Sequence, residues 1–291
     1  MTLEWGTGTS SALDAATPPT RFAVMLQPPS APNWMLLGTE PVRSAFEYVR
    51  MRRMSVASLP SGDGHPVIVF PGLAGNHRSI GSMLRLCKQL GYAARDWGLG
   101  INTGPRGELD PWMDELARHV DALAAPHRKA MSLVGVSLGG IYAREVAKRL
   151  TGRVRQVITV GAPFAGRAEH TNAAWLYRLL NGRAPLFDDA LLTRLRASPD
   201  VPTTSVYSRS DGVVAWQACL HEEGARHTEN IEVASSHCGL GWNAQVLSII
   251  ADRLHQPEGA WRPYAQGSGK RSHGADAASR VSCSTRPVAT R

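Results

Sequence analysis

One serine of this sequence lies in a pentapeptide that suits nucleophilic chemistry. Ser137 is the centre of Gly135-Val136-Ser137-Leu138-Gly139. This G-x-S-x-G pattern alone is a weak indicator, because it arises by chance in roughly one chain of this length in five. Its neighbours strengthen it, since the apolar run 131–134 predicts a strand and 140–150 predicts a helix. A serine at such a sharp turn projects beyond the sheet, and the small glycines and the helix N-terminus favour it there.

A serine hydroxyl needs a base to take its proton and a carboxylate to orient that base. When the nucleophile follows a strand in this way, the acid and the histidine come after later strands, in that order. Asp211 lies in a Ser-Asp-Gly turn after the run 203–207, and His237 follows the run 231–233. The sequence therefore predicts a catalytic triad of Ser137, Asp211 and His237. Weaker candidates are Asp188, Asp189 and Asp200, in or just after a long insertion, and His221 and His227, in a polar connection.

Attack on a carbonyl also needs hydrogen-bond donors for the negative oxygen that develops. The backbone N–H of Leu138, the residue after the nucleophile, is the first predicted donor. The second is expected from the loop 71–76, after the apolar run 66–70. Gly72 allows that loop to turn close to the serine, so we assign the donor to the N–H of Leu73; the alternative is a plain Pro-Gly turn.

Strand-like and helix-like segments alternate along the chain. Apolar runs predict strands buried on both faces at 66–70, 130–136, 154–160, 202–207 and 230–234, with a further strand within 91–97. Helical patterns cover 76–90, 109–124, 138–150 and 241–254. This alternation predicts the α/β class, with a mostly parallel central sheet and helices on both faces.

The domain organisation follows from composition and spacing. We expect a poorly ordered N-terminus at 1–20, one domain over 21–257, and a basic, disordered tail at 258–291, which is rich in small and polar residues. The connection between 160 and 202 is too long for an ordinary strand–helix link. Its apolar residues recur at helical spacing from Trp175 to Leu195. They predict a small helical cap at about 167–200 that covers a pocket, or else one more packing helix.

Composition excludes several classes of protein. Of the 291 residues 43% are hydrophobic and 19% charged, which provides a sizeable core and excludes a chain disordered throughout. The net charge is +8, with six basic residues and one acid from Arg262 onward. No basic stripe interleaved with aromatics appears before that tail, so we expect no nucleic-acid partner. No apolar run approaches the roughly 20 residues of a membrane span.

Signals for export and for cofactors are weak. The first 16 residues lack a basic and an apolar region of the secretory type, which favours a cytoplasmic location with reduced thiols. The four cysteines lack C-x-x-C spacing, so no metal site is expected. A Cys219–Cys238 disulfide stays open, being favoured only if the protein is exported. The loop Gly98–Gly104 is one residue longer than a dinucleotide fingerprint and is expected to shape the pocket rim, so no cofactor is predicted.

Together these motifs resemble the α/β-hydrolase family. They are the loop 70–76, the elbow Gly135–Gly139 with the following 140–145, and the segment 208–214 with His237. The resemblance is to bacterial lipase- and esterase-like members, distantly similar to inositol-deacylase-type lipases, and covers about 60–256. Many bacterial lipases carry His-Gly at the oxyanion loop, whereas this chain has Pro71-Gly72. Residues 1–60 match nothing, so the usual first strands are expected to be missing or altered.

The sequence thus predicts a serine hydrolase that cleaves hydrophobic esters through a covalent acyl-enzyme. Its substrate would be a small-molecule or lipid ester, with contact at a lipid–water interface suggested by the apolar cap. An acyltransferase or a thioesterase would use the same triad. A non-catalytic binding scaffold is the third hypothesis, and its expected mark, a broken triad, is absent from the sequence.

Overall fold

The structure is a computed structural model that describes residues 31–166, 171–172, 189–222 and 224–265. Within these residues six parallel strands form one sheet in the order β2-β1-β3-β4-β5-β6. The strands are β1 (Pro66–Phe70), β2 (Ala93–Asp96), β3 (Met131–Val136), β4 (Val154–Val160), β5 (Thr203–Tyr207) and β6 (Thr228–Glu232). The helices are α1 (Trp34–Met51), α2 (Gly81–Gln89), α3 (Leu109–Ala124), α4 (Leu138–Arg149), α5 (Asp189–Arg196) and α6 (Ala244–His255).

The central strands are buried on both faces because helices cover the sheet on each side. Alternate residues of β1 divide between two cores, with Val67 and Val69 in one and Ile68 and Phe70 in the other. The first core includes apolar residues of α2 and α6, and the second those of α3 and α4. The predicted α/β class is therefore confirmed.

The last strand differs from its prediction. The sequence predicted a strand buried on both faces at 230–234, whereas β6 runs from Thr228 to Glu232, and Ile231 is its one buried residue. The prediction of burial was wrong because β6 lies at the edge of the described sheet. An edge strand exposes more of its side chains to solvent than an internal one.

Helix α1 had no counterpart in the sequence analysis. The Asn33 side chain caps its start by accepting a hydrogen bond of 2.9 Å from the Met35 N–H. Pro41 lies inside the helix, and the buried positions Glu40 and Ser44 are polar. Pro41 interrupts the helical pattern, and the apolar residues of α1 recur on its exposed side instead of its buried side, the reverse of an ordinary surface helix.

The two ends and the predicted cap are described only in part. Of the cap at 167–200, the structure describes 171–172 and the exit through α5; residues 173–188 lie outside the described residues, as do 1–20 and 266–291. The described fold continues past 257, since the Tyr264 N–H donates to the Glu229 carboxylate over 2.7 Å. No helix within the described ranges is long and apolar enough to cross a membrane.

Candidate active site

Ser137 occupies the turn between β3 and α4 in a backbone conformation that side chains seldom adopt. Its φ is +52° and its ψ is −124°. Two hydrogen bonds hold it there: its N–H donates to the Val160 carbonyl over 2.8 Å, and its carbonyl accepts from the Gly140 N–H over 2.9 Å. Backbone strain of this kind persists only where the surrounding structure enforces it, and it concentrates at functional sites.

The glycines on either side of Ser137 are required by close backbone contacts. A Cβ on Gly135 would overlap the Gly139 carbonyl. A Cβ on Gly139 would lie 2.5 Å from the Pro71 carbonyl oxygen. The turn therefore packs directly against the loop that follows β1, as the sequence analysis expected of a serine at such an elbow.

The structure brings Ser137, Asp211 and His237 together. His237 Nε2 lies 3.1 Å from Ser137 Oγ, and His237 Nδ1 lies 2.6 Å from Asp211 Oδ2. The second carboxylate oxygen, Oδ1, accepts the N–H groups of Val213 and Val214 over 2.8 and 2.7 Å. Asp211 is only 3% exposed. Backbone N–H groups hold its Oδ1, and its Oδ2 accepts a hydrogen bond from His237 Nδ1. This leaves Nε2 free to accept the serine proton.

The electrostatic surroundings of His237 favour its protonated form. Burial acts to lower the pKa of His237, but the Asp211 carboxylate outweighs it through its charge and its hydrogen bond, and Glu40 adds to the effect. The net result is a pKa raised above the ordinary value of 6.5. The imidazole is thereby suited to hold a proton taken from Ser137.

The loop 71–76 lies directly beside the serine. A Cβ on Gly72 would be 3.2 Å from Ser137 Cβ. Leu73 is the residue after Gly72, so its N–H belongs to the part of the loop that lies beside Ser137. On the other side, Leu138 is the first residue of α4, where a backbone N–H has no acceptor within the helix. The two N–H groups predicted as oxyanion donors thus belong to segments that flank Ser137.

Asn102, in the loop after β2, holds the loop 71–76 in place. It is fully buried, and its Nδ2 donates to the Pro71 carbonyl over 2.8 Å. Its backbone carbonyl accepts from the Ala74 N–H over 2.7 Å, and its N–H donates to the Gly75 carbonyl over 2.8 Å. The sequence predicts that this loop shapes the pocket rim, but no motif in it points to Asn102.

The architecture matches that of solved lipase structures. The chain aligns with Bacillus licheniformis lipase BlEst2 in its mature form over 68% of its own length and 95% of the other, with a TM-score of 0.51 and 15% identity. It aligns with Aspergillus fumigatus lipase B over 69% of its own length and 56% of the other, with a TM-score of 0.50 and 17% identity. This chain has the α/β-hydrolase fold. No family model matches the sequence, and no curated protein matches it.

The weaker triad candidates that are described have other surroundings in this α/β-hydrolase fold: Asp200 lies between α5 and β5, and the His227 ring packs edge-on against Trp261. His221 is buried, with Nδ1 3.1 Å from Ser198 Oγ, and burial, followed by the charge of Arg144, lowers its pKa to about 3. Asp189 begins α5, and Asp188 lies outside the described residues.

Cys219 and Cys238 are free thiols, the first buried and the second exposed, so the disulfide left open by the sequence is not formed.

A second Ser-His-Asp arrangement lies at the amino end of the sheet. His65 Nε2 is 2.8 Å from Ser132 Oγ, and His65 Nδ1 contacts Asp63. Both Ser132 and His65 are fully buried, and Gln156 Nε2 donates to Ser132 Oγ over 3.2 Å. A serine that a substrate cannot reach has no nucleophilic role. This cluster therefore links the start of β1 to β3 and β4. Triad-like distances indicate a nucleophile only where a substrate can reach the serine.

Proposed function

We propose that this protein is a serine carboxylic-ester hydrolase acting on hydrophobic esters. One observation carries the proposal: a single imidazole lies 3.1 Å from Ser137 Oγ through Nε2 and 2.6 Å from Asp211 Oδ2 through Nδ1. Those are hydrogen-bond distances, so the serine proton has a direct path to His237. The likeness of the fold to lipases is consistent with this chemistry.

The reaction proceeds in two halves. Ser137 Oγ attacks the ester carbonyl carbon while His237 Nε2 takes its proton, and Asp211 stabilises the resulting imidazolium. His237 then gives that proton to the departing alcohol, which leaves an acyl group on Ser137. In the second half His237 deprotonates a water molecule that attacks the acyl-enzyme. The acid is released and the serine is restored.

The N–H groups of Leu138 and Leu73 stabilise the tetrahedral intermediates. Support for Leu138 comes from its position at the start of α4, where the N–H groups carry the positive end of the helix dipole. Support for Leu73 comes from the approach of Gly72 to Ser137 and from the hold of Asn102 on the same loop. Donors fixed in advance in this way favour the charge that develops in the transition state.

The exposed surface of α1 favours binding to a lipid layer. The apolar face of α1, formed by Trp34, Met35, Val42, Phe46 and Val49, is exposed, with Trp34 at 77% and Phe46 at 71%. Exposed arginines follow it at Arg50, Arg52 and Arg53. An apolar helix face beside a basic cluster suits the boundary of an anionic lipid layer. Hydrophobic esters at such a boundary are the substrate class that fits.

The test is hydrolysis of p-nitrophenyl esters from acetate to palmitate by wild type and Ser137→Ala. We expect the variant to fold normally and to lose turnover by at least about 10³-fold, because the nucleophile is gone. A fluorophosphonate should label wild type at Ser137 and leave the variant unlabelled. Wild-type rates in the variant would refute the mechanism. Acyl transfer to added alcohol or turnover of a thioester, measured by product analysis, would identify the acyltransferase or thioesterase that the same triad serves.

A further inference from the structure

Helix α1 presents polar residues to the protein and apolar residues to solvent. Glu40 is 3% exposed and Ser44 is 7% exposed, whereas Phe46 on the same helix is 71% exposed. A surface helix usually buries its apolar stripe and exposes its charges. The inward carboxylates of α1 must therefore have partners strong enough to offset the cost of their burial.

The partners of Glu40 are backbone N–H groups of the two loops that carry Asp211 and His237. Its Oε1 accepts from the Gly212 N–H over 2.9 Å and from the His237 N–H over 2.9 Å. Its Oε2 accepts from the Cys238 N–H over 3.0 Å. One carboxylate thus bridges the residue after the acid and the catalytic histidine itself, which are separated by 25 positions in the chain.

Other residues of α1 strengthen the same bridge. Arg43 pairs with Glu40 over 2.9 Å and donates to the Ser210 carbonyl over 2.6 Å. Glu47 accepts from the Ser236 N–H over 2.7 Å. Both loops are therefore held from one helix by charge-assisted hydrogen bonds, which are stronger than neutral ones.

Glycines in both loops mark where the helix approaches. A Cβ on Gly212 would lie 2.5 Å from the Leu36 carbonyl carbon, and a Cβ on Gly239 would overlap the Glu47 carboxylate. Glycine at both positions leaves room for α1. Gly212 directly follows Asp211, and Gly239 is two residues after His237. This is independent of the hydrogen bonds and points to the same contact.

We propose that Glu40 is a positioning residue for the Asp211–His237 pair, because its carboxylate fixes the backbones of the two loops relative to each other. The inference rests on the proposed function, since it concerns the aim of His237 at Ser137. Glu40 touches neither the serine nor the ester. It acts through the position of the imidazole, and an error of about 1 Å in such a position can cost 100-fold in rate.

Glu40 also places a negative charge near His237. The charged and titratable groups around this histidine are Asp211 from the loop after β5, Glu40, its partner Arg43 and Glu47 from α1, and the adjacent Cys238 thiol. Although Cys238 is exposed at the surface, partial desolvation, followed by the charges of Glu40 and Asp211, raises its pKa to about 11, so that thiol is neutral at ordinary pH. Removing the charge of Glu40 should lower the pKa of His237 and move the acid limb of kcat/KM to lower pH.

The test compares Glu40→Gln and Glu40→Asp with wild type in the full chain, using p-nitrophenyl butyrate. Both variants should lose kcat by about tenfold or more with KM within about twofold, because the aim of His237 changes and the ester contacts do not. The acid limb should move to lower pH in Glu40→Gln. It should move less in Glu40→Asp, which keeps the charge on a side chain one methylene shorter. If Glu40→Gln fails to fold, the kcat of Glu40→Asp decides the matter.

The matched control is Glu145→Gln. Glu145 is another buried glutamate, paired with Lys148 over 2.6 Å and with Arg149 over 3.1 Å on α4, and it bonds to neither loop. Glu145→Gln should lower the unfolding midpoint and leave kcat and the acid limb unchanged. Folded Glu40 variants with wild-type kcat and pH profile would overturn the proposal.

A readout independent of turnover separates this inference from the proposed function. NMR titration of the His237 imidazole should give a lower pKa in Glu40→Gln than in wild type, whether or not the protein cleaves esters. If wild type neither hydrolyses esters nor reacts with a fluorophosphonate, the proposed function fails, and this titration still decides whether Glu40 governs His237. An unchanged titration would count against Glu40.

Discussion

Gly139 supports the strained turn at Ser137 by its lack of a side chain. A Cβ there would lie 2.5 Å from the Pro71 carbonyl oxygen and 2.6 Å from the Phe70 carbonyl oxygen. Both obstacles are backbone atoms, so relief requires the loop 71–76 to move away from α4. The donor expected from that loop would then leave the position in which it can bond the oxyanion. Packing and chemistry thus impose the same demand on this residue.

Gly139→Ala is therefore expected to lose both stability and rate. Overpacking of this kind typically costs about 1–3 kcal/mol of unfolding free energy, and the displaced donor should lower kcat further. Urea unfolding and p-nitrophenyl butyrate kinetics measure the two losses. Gly81→Ala is the control, because a Cβ at Gly81, the first residue of α2, meets nothing within 4 Å. It should keep wild-type kcat and gain slightly in stability. Full activity in Gly139→Ala would mean that the loop carries no donor.

The pKa of His237 links activity and stability with opposite signs. Catalysis needs the neutral imidazole, and the pKa of His237 is raised above 6.5, so kcat/KM should reach half its plateau above that pH. A raised folded-state pKa means that the fold favours the protonated form. Its contribution to stability is complete below the unfolded-state pKa and is lost as pH rises through the folded-state pKa. Activity should therefore rise where this contribution falls.

Urea unfolding of wild type and His237→Gln at a series of pH values tests the linkage. The difference in unfolding free energy between the two should be largest at pH values below the unfolded-state pKa and should shrink with rising pH across the acid limb of the wild-type rate profile. A difference that grows with pH would mean that burial, which lowers the pKa, dominates over the Asp211 carboxylate.

At the scale of elements, the loop after β2 determines the shape of the loop after β1. Asn102 provides the connection through its Nδ2, 2.8 Å from the Pro71 carbonyl oxygen, and its Oδ1, 3.1 Å from the Gly104 nitrogen. Since the side chain is fully buried, its hydrogen bonds have no competing water. The position of the Leu73 N–H, which we propose as the second oxyanion donor, thus depends on a residue that lies well away from it in sequence.

Asn102→Ala should lower kcat by about tenfold or more and leave KM nearly unchanged, because a misplaced oxyanion donor affects mainly the transition state. Losing the buried hydrogen bonds should also cost about 1–3 kcal/mol of stability. A control is Asn230→Ala in β6, which removes two hydrogen bonds to the His221 backbone, of 2.8 and 3.0 Å. That variant should keep its kcat. An equal fall in both variants would attribute the effect to general loss of stability.

The elements that could be predicted from sequence are those whose cause is local. The apolar runs of β1, β3 and β4 predicted strands because an internal strand needs apolar residues on both faces. Asp211 and His237 could be selected because parallel strands end at one edge, although their catalytic role stays a prediction. Helix α1 could not be predicted, since its inward face is polar and its partners lie far away: Glu40 bonds to Gly212, 172 positions along the chain. Asn102 was missed for the same reason.

At the scale of the whole molecule, the exposed large apolar residues of the described surface are concentrated on α1, with Leu99 and Ile101 in the loop after β2. Leu99 and Ile101 belong to the loop after the edge strand β2, whereas the inward face of α1 bonds to the loops after β5 and β6. Burying α1's apolar face in lipid would bring the side of the molecule that holds Asp211 and His237 to the interface. Single exposed apolar residues are normal on a protein surface, whereas a continuous apolar helix face indicates an interaction site.

Binding to vesicles tests whether the apolar face of α1 is that contact. We expect wild type to bind phosphatidylglycerol vesicles more tightly than phosphatidylcholine vesicles, with a loss at high salt, because Arg50, Arg52 and Arg53 add electrostatic attraction. Trp34→Ser with Phe46→Ser should weaken binding by about tenfold or more in sedimentation assays, since two largely exposed aromatics no longer insert. Hydrolysis of soluble p-nitrophenyl acetate should stay unchanged. Leu99→Ser, in the loop after β2, is the control and should bind as wild type does. Equal binding by the double variant would exclude α1 as the lipid contact.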